Sequence, residues 1–169
     1  MISSRVAKSI EVELADDPYA LKYFSDLLKQ AIEKSKKLFN APIKQYLLFV
    51  DVEKQFKERR IKDMPDAFDE SPEARAWFGI LKQVLPDAVK GSDEQLAPWI
   101  VLAKRIEGII ASAKAEFSLS PEDMEKSIEL ALLQLCFDDS APEVLKDVTK
   151  IGEISQAVIH SLRVRMSKV

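Results

Sequence analysis

The apolar residues of this chain recur every three to four positions over most of its length, which is the period of an amphipathic helix. Three helix starts are marked by a cap residue followed by proline: Asp17-Pro18, Ser71-Pro72 and Ser120-Pro121. Such a pair supplies a side-chain acceptor and a preset φ where backbone N–H groups lack partners. A fourth start is predicted at Ser92, because Gln95 three residues later completes a capping box.

These signals predict six helices, at about residues 18–39, 43–59, 72–85, 93–117, 121–135 and from about 144 onward. Gly152 is a candidate break in the last one. Residues 1–16 are ambiguous, because Ile10, Val12 and Leu14 alternate as in a strand, whereas Val6, Ile10 and Leu14 share a helical face. We favour a helix there. The predicted fold is therefore all-α, a compact bundle of about six helices.

Two helices are apolar over more than one narrow stripe, at residues 46–50 and 130–133. A helix that is apolar on two sides is buried on both, or leaves one face for a partner. We expect core positions at Leu21, Phe24, Leu28, Ala31, Ile32 and Leu38 or Phe39 in the first of the six helices, and at Tyr46, Leu47, Phe49 or Val50, and Phe56 in the next. Trp77, Phe78 and Trp99 have core spacing too, which favours packing over a recognition face.

The composition fits a folded globular protein, with 169 residues, 47% hydrophobic and 31% charged. We expect one domain over residues 1–169, with residues 60–71 as an internal loop. The net charge of −3 provides no field over the whole domain that would attract a polyanion, so any nucleic-acid contact would be local. One cysteine, no apolar run of membrane-spanning length and no signal peptide indicate a cytoplasmic protein without a membrane partner.

The residues needed for common chemistries are missing from the sequence. No glycine is followed by lysine, as a phosphate-binding loop requires, and no lysine has an acid two places before it, as a restriction-type nuclease requires. Cys136 and His160 are too few ligands for zinc. A buried small Cys136 and a surface or boundary His160 are the favoured interpretations. We therefore predict no catalytic, cofactor-binding or metal-binding residue.

Two basic clusters remain as candidate contacts: Lys54, Lys57, Arg59, Arg60 and Lys62 in the first, and Arg163, Arg165 and Lys168 in the second. Cations near helix C-termini favour the helix dipole, so a solvated helix end explains both clusters. The alternative is contact with phosphates or with an acidic partner.

Several strings of the chain, in order, resemble the C-terminal region of the R (restriction and motor) subunit of bacterial type I restriction–modification enzymes. They are residues 23–33 (YFSDLLKQAIE), 38–46 (LFNAPIKQY), 61–68 (IKDMPDAF), 74–79 (ARAWFG), 117–121 (FSLSP) and 128–129 (IE). The resemblance covers nearly the whole chain, but it includes no catalytic motif of that family.

The resemblance implies a non-catalytic helical domain at the end of a longer subunit, an excised piece or a split-gene product. In that family the nuclease and the ATP-driven translocase lie upstream, so ATP and magnesium are expected only there. This domain is expected to contact those motor domains and to dock onto the methyltransferase core of modification and specificity subunits. Three alternatives stay open: an auxiliary module with weak contacts to the DNA backbone, a stand-alone helical interaction domain, or a helical enzyme with a polar pocket.

Overall fold

The computed structural model describes residues 2–62, 64–68 and 70–168. Met1, Val169, and Asp63 and Asp69 of the predicted loop lie outside the described residues. Over the described part the chain forms seven α-helices: α1 (Ile2–Glu13), α2 (Pro18–Lys36), α3 (Pro42–Lys57), α4 (Pro72–Val84), α5 (Asp93–Glu116), α6 (Pro121–Leu133) and α7 (Val148–Ser167). The all-α prediction is confirmed. The seventh helix is α1, because the ambiguous N-terminal segment is helical and buries Val6 and Ile10.

The described contacts group into two compact units, unit 1 (Met1–Met64) and unit 2 (Pro65–Val169). The single domain over residues 1–169 stays a prediction. Short 3-10 turns at Asp66–Phe68, Gln134–Phe137 and Glu143–Lys146 interrupt the loops of unit 2. Gly152 lies inside α7, so the candidate break there was wrong.

Unit 1 is built from α1, α2 and α3, which pack on one another. Its core contains Phe24 of α2 and Phe56 of α3 in edge-to-face contact, with ring centroids 5.6 Å apart. The start of α2 is fixed as the sequence predicts, because Asp17 Oδ1 accepts from the Ala20 N–H at 3.1 Å. Phe24, Leu28 and Ala31 are buried as predicted.

Unit 2 is organised around α4, which packs against α5 and α7, while α6 packs against α5 and α7 as well. Trp77 and Phe78 of α4 are fully buried and Trp99 of α5 is 5% exposed, so the prediction that these aromatics belong to the core is confirmed. Cys136 is buried, also as predicted. The capping box of α5 forms, since the Ser92 N–H donates to Gln95 Oε1 at 2.9 Å.

The start of α4 is predicted correctly, but its cap comes from elsewhere in the chain. Ser71 makes no capping hydrogen bond to α4. Its Oγ instead donates to Glu107 Oε2 of α5 at 2.5 Å, and the same carboxylate oxygen accepts from the Ala74 N–H at 3.0 Å. A carboxylate on α5 therefore partners the N-terminal backbone of α4 and ties the two helices together.

No helix in the described part of the chain combines the length and the apolar character that crossing a bilayer requires.

Candidate interaction surface on the third helix

The two faces of α3 are both apolar, but only one is buried. Phe49, Val52 and Phe56 belong to the core of unit 1. On the opposite side lie four exposed apolar residues, which we call the α3 stripe: Ile43, Tyr46, Leu47 and Val50. Ile43 is 75% exposed and Leu47 is 55% exposed. Their spacing of i, i+3, i+4 and i+7 aligns them along one side of the helix.

The expectation that Tyr46 and Leu47 are core residues was wrong, and of the alternatives Phe49 and Val50 it is Phe49 that is buried. Within unit 1, α1 and α2 pack on the side of α3 that carries Phe49 and Phe56, and an α-helix cannot turn its opposite side toward the same neighbours. Of the alternatives Leu38 and Phe39, Leu38 is half-buried and Phe39 is 76% exposed, because α2 ends at Lys36 and Phe39 lies in the following turn.

The segment of sequence that contains α3 is basic. Residues 34–62 contain nine lysines and arginines against three acidic residues, a net charge of +6. The rest of the chain, with sixteen basic and twenty-five acidic residues, carries −9. Lys54 lies one turn beyond Val50 on the same side of α3, and it forms no ion pair with any residue that the structure describes. This exposed side of α3 is therefore apolar along the stripe and basic one turn beyond it, at Lys54.

The other basic residues near the end of α3 are mostly paired inside unit 1. Lys57 Nζ lies 3.1 Å from Glu53 Oε1, and Arg60 Nε lies 2.6 Å from Glu58 Oε2. Hydrogen bonds from Lys57, and then from Arg5, lower the pKa of the Glu53 carboxyl below its usual value. Lys62 is exposed, and its backbone N–H donates to Tyr23 Oη at 3.2 Å.

Arg59 has a structural role after α3. Its backbone φ of +52° is the left-handed conformation that usually selects glycine at a helix end. The guanidinium lies 4.5 Å from the Phe56 ring centroid, donates to the Phe56 carbonyl at 2.7 Å, and reaches Glu13 at 3.1 Å. These contacts compensate for the backbone strain, so the side chain is engaged within unit 1.

The two arginines of the second basic cluster, Arg163 and Arg165, are engaged within unit 2. Arg163 forms a bidentate pair with Glu125, with both N–O distances at 2.7 Å, and these hydrogen bonds lower the pKa of the Glu125 carboxyl. The Arg165 guanidinium lies over the Trp77 ring, 5.2 Å from its centroid. Both arginines therefore join α7 to other helices of the unit.

In the described part of the chain, no group of three or more His, Cys, Asp or Glu could hold a metal ion. His160 is exposed on α7, which confirms a surface histidine.

An open groove of about 490 Å³ between α5 and α6 is lined largely by small residues such as Gly108, Ser112 and Ala131, and Arg105 at its edge is bound to Asp138 at 2.5 Å.

Comparison of the chain with protein-family models, curated proteins and solved structures found no match. The family resemblance therefore stays a prediction based on the strings quoted above. Those strings include residues 23–33 within α2, residues 38–46 across the turn into α3, and residues 74–79 within α4. Asp63 of the string at 61–68 lies outside the described residues.

Proposed function

We propose that this chain is a non-catalytic docking domain of the kind found at the C-terminus of the type I restriction R subunit. It attaches the translocase and endonuclease to the methyltransferase core. The observation that carries this proposal is the α3 stripe, a continuous apolar face that unit 1 leaves exposed.

An exposed apolar stripe favours association with a protein. Burying apolar area releases about 25 cal/mol per Å². The centre of a protein interface is depleted of charge and rich in aromatic side chains, and Tyr46 lies within the stripe. Arg59, Arg163 and Arg165 are engaged by residues of their own units, which leaves these arginines less available to an external phosphate.

The experiment that tests the proposal is co-elution of the purified domain with a methyltransferase core, made of modification and specificity subunits, from a type I system. We expect a stable complex on size-exclusion chromatography. A domain that is folded by circular dichroism and elutes separately from the core would contradict docking. Binding to an unrelated protein instead would favour a stand-alone interaction domain.

The second candidate function is contact with the DNA backbone, which the charge of +6 over residues 34–62 favours. Charge reversal of Arg59 and Arg60 would also break their ion pairs with Glu13 and Glu58, so Lys54→Glu is the cleaner probe. DNA affinity that falls steeply with salt, and falls again in Lys54→Glu, would support the DNA-contacting module. Affinity that is weak at low salt and equal in both proteins would exclude it.

A further inference from the structure

We propose that the α3 stripe binds an amphipathic helix of another protein, one with an apolar face flanked by acidic residues. The inference deepens the docking function proposed above, since it names the surface and the chemistry of the partner. It rests on three observations that concern the same helix: the spacing of the exposed apolar residues, the exposed Lys44 and Lys54 that form no ion pair within the described residues, and the burial of the opposite face.

The geometry of the stripe matches helix recognition. Ile43, Tyr46, Leu47 and Val50 present side chains over two turns of α3, and i, i+3, i+4, i+7 spacing is the pattern by which one helix packs along another. Because Phe49, Val52 and Phe56 hold the other side of α3 in the core, the stripe is presented on a fixed element and needs little rearrangement to bind.

The charge selects the partner. Lys54 extends the stripe by one turn, and Lys44 lies on the exposed part of the same helix; neither forms an ion pair within the described residues. A partner helix with glutamates or aspartates beside its apolar face would therefore gain charge pairs that this chain does not itself supply. Complementary charge also speeds association and disfavours basic partners.

A second copy of this chain is a poor occupant. An antiparallel pair of α3 helices centred on Leu47 would place Lys54 opposite position 40, which precedes the other α3 helix and is the uncharged Asn40, so Lys54 would gain no acidic partner there. A parallel pair would set Lys54 against Lys54. Either arrangement brings together two segments that each carry +6, which like-charge repulsion opposes.

DNA and a membrane surface fit the stripe less well than a helix does. The apolar side chains of Ile43, Leu47 and Val50, at the centre of the exposed face of α3, offer phosphates neither a hydrogen-bond donor nor a positive charge. Interfacial membrane helices insert a long apolar face, whereas the α3 stripe covers two turns and the remaining apolar residues of α3 belong to the core of unit 1.

The experiment measures binding of a fluorescently labelled helical peptide to the full chain by anisotropy. The peptide has about 18 residues, or about five turns, with leucines at i, i+3, i+4, i+7 spacing and flanking glutamates. A matched peptide carries lysine at every glutamate position. We expect the acidic peptide to bind with a Kd of about 10 µM or tighter, and the basic peptide to bind at least about tenfold more weakly.

Three variants locate the binding site. Leu47→Gln removes the apolar side chain at the centre of the stripe, and Lys54→Glu reverses the charge one turn beyond it. Each substitution should weaken binding of the acidic peptide by about tenfold or more. The control is Phe137→Gln in unit 2, an apolar position that is exposed as well, at 80% against 55% for Leu47, and it should leave the affinity unchanged. All three positions are exposed, so circular dichroism should be identical to the parent protein.

Several results would overturn the inference. They are a failure of the acidic peptide to bind, equal binding of the two peptides, or binding that Leu47→Gln leaves unaffected. A dimer of the isolated chain that Leu47→Gln dissociates would identify a second copy as the occupant. Binding to phosphatidylglycerol vesicles or to duplex DNA tighter than to the acidic peptide, and lost in Lys54→Glu, would assign the surface to those ligands instead.

The methyltransferase core separates this inference from the docking function. If the parent protein and Leu47→Gln both co-elute with the core, docking stands and the α3 stripe is the wrong surface. If the acidic peptide binds at Leu47 but the core does not co-elute, the surface stands and the docking function is wrong.

Discussion

Substitution of Glu107 tests most directly how α4 and α5 of unit 2 are held together. In α5, Glu107 accepts from Ser71 Oγ at 2.5 Å and from the Ala74 N–H at 3.0 Å, so it provides the N-terminal partner that α4 lacks locally. Glu107→Ala removes both hydrogen bonds and a negative charge beside the positive end of the α4 dipole. Loss of a helix cap costs about 0.5–2 kcal/mol, and this cap is charged and partly buried. We therefore expect a loss of about 2 kcal/mol.

Urea unfolding followed by tryptophan fluorescence measures this loss, because both tryptophans, Trp77 and Trp99, belong to unit 2. With a urea m-value of about 2 kcal/mol/M, the midpoint should fall by about 1 M in Glu107→Ala. Glu107→Gln keeps one acceptor oxygen and should lose less. The control is Glu116→Ala, an exposed acid on the same helix, which should change stability by less than about 0.5 kcal/mol. Equal midpoints for Glu107→Ala and Glu116→Ala would refute the capping role.

Three further predictions concern single side chains. Arg59→Gly should be about 1 kcal/mol more stable than Arg59→Ala in urea unfolding, because glycine relieves the φ of +52° while both variants lose the same contacts; equal stability would contradict this. Ser155 Oγ is buried without a hydrogen-bond partner in the described residues, so Ser155→Ala should be neutral or stabilising by up to about 1 kcal/mol, and a clear thermal destabilisation would contradict it. Hydrogen bonds from Ser140, then Arg105, lower the pKa of Asp138 from 3.8 to about 2. The ionised Asp138 carboxylate therefore contributes its full stabilisation above about pH 4, and this contribution is lost as the pH falls through about 2. The urea midpoints of Asp138→Ala and the parent protein should differ at neutral pH and converge near pH 2. A difference that does not change with pH would contradict this role of Asp138.

Helix positions were predictable because their signals are local. Asp17, Ser92 and the prolines at 72 and 121 act on backbone groups within three residues, so sequence alone indicates where those helices begin. The cap of α4 was not predictable, since Glu107 lies 33 positions after Ala74 and only the packing of α4 on α5 brings them together.

The side of α3 that faces solvent was the main error, and it has a simple cause. Periodicity shows that a helix has apolar sides, but the number of neighbouring helices decides how many of those sides are buried. The sequence also identified the basic clusters, but it did not show which acidic residues pair with them. Glu125 lies 38 positions before Arg163, and Glu13 lies 46 positions before Arg59, so their pairing depends on the fold.

The most direct test of the docking account is the affinity of the full chain for a type I methyltransferase core, measured for the parent protein, Leu47→Gln and Phe137→Gln. The account predicts that the parent and Phe137→Gln bind alike and that Leu47→Gln binds about tenfold more weakly or worse, since Leu47 is at the centre of the exposed α3 stripe. Undetectable binding of the folded parent protein would contradict the docking function, and equal binding of all three proteins would contradict the role of the stripe.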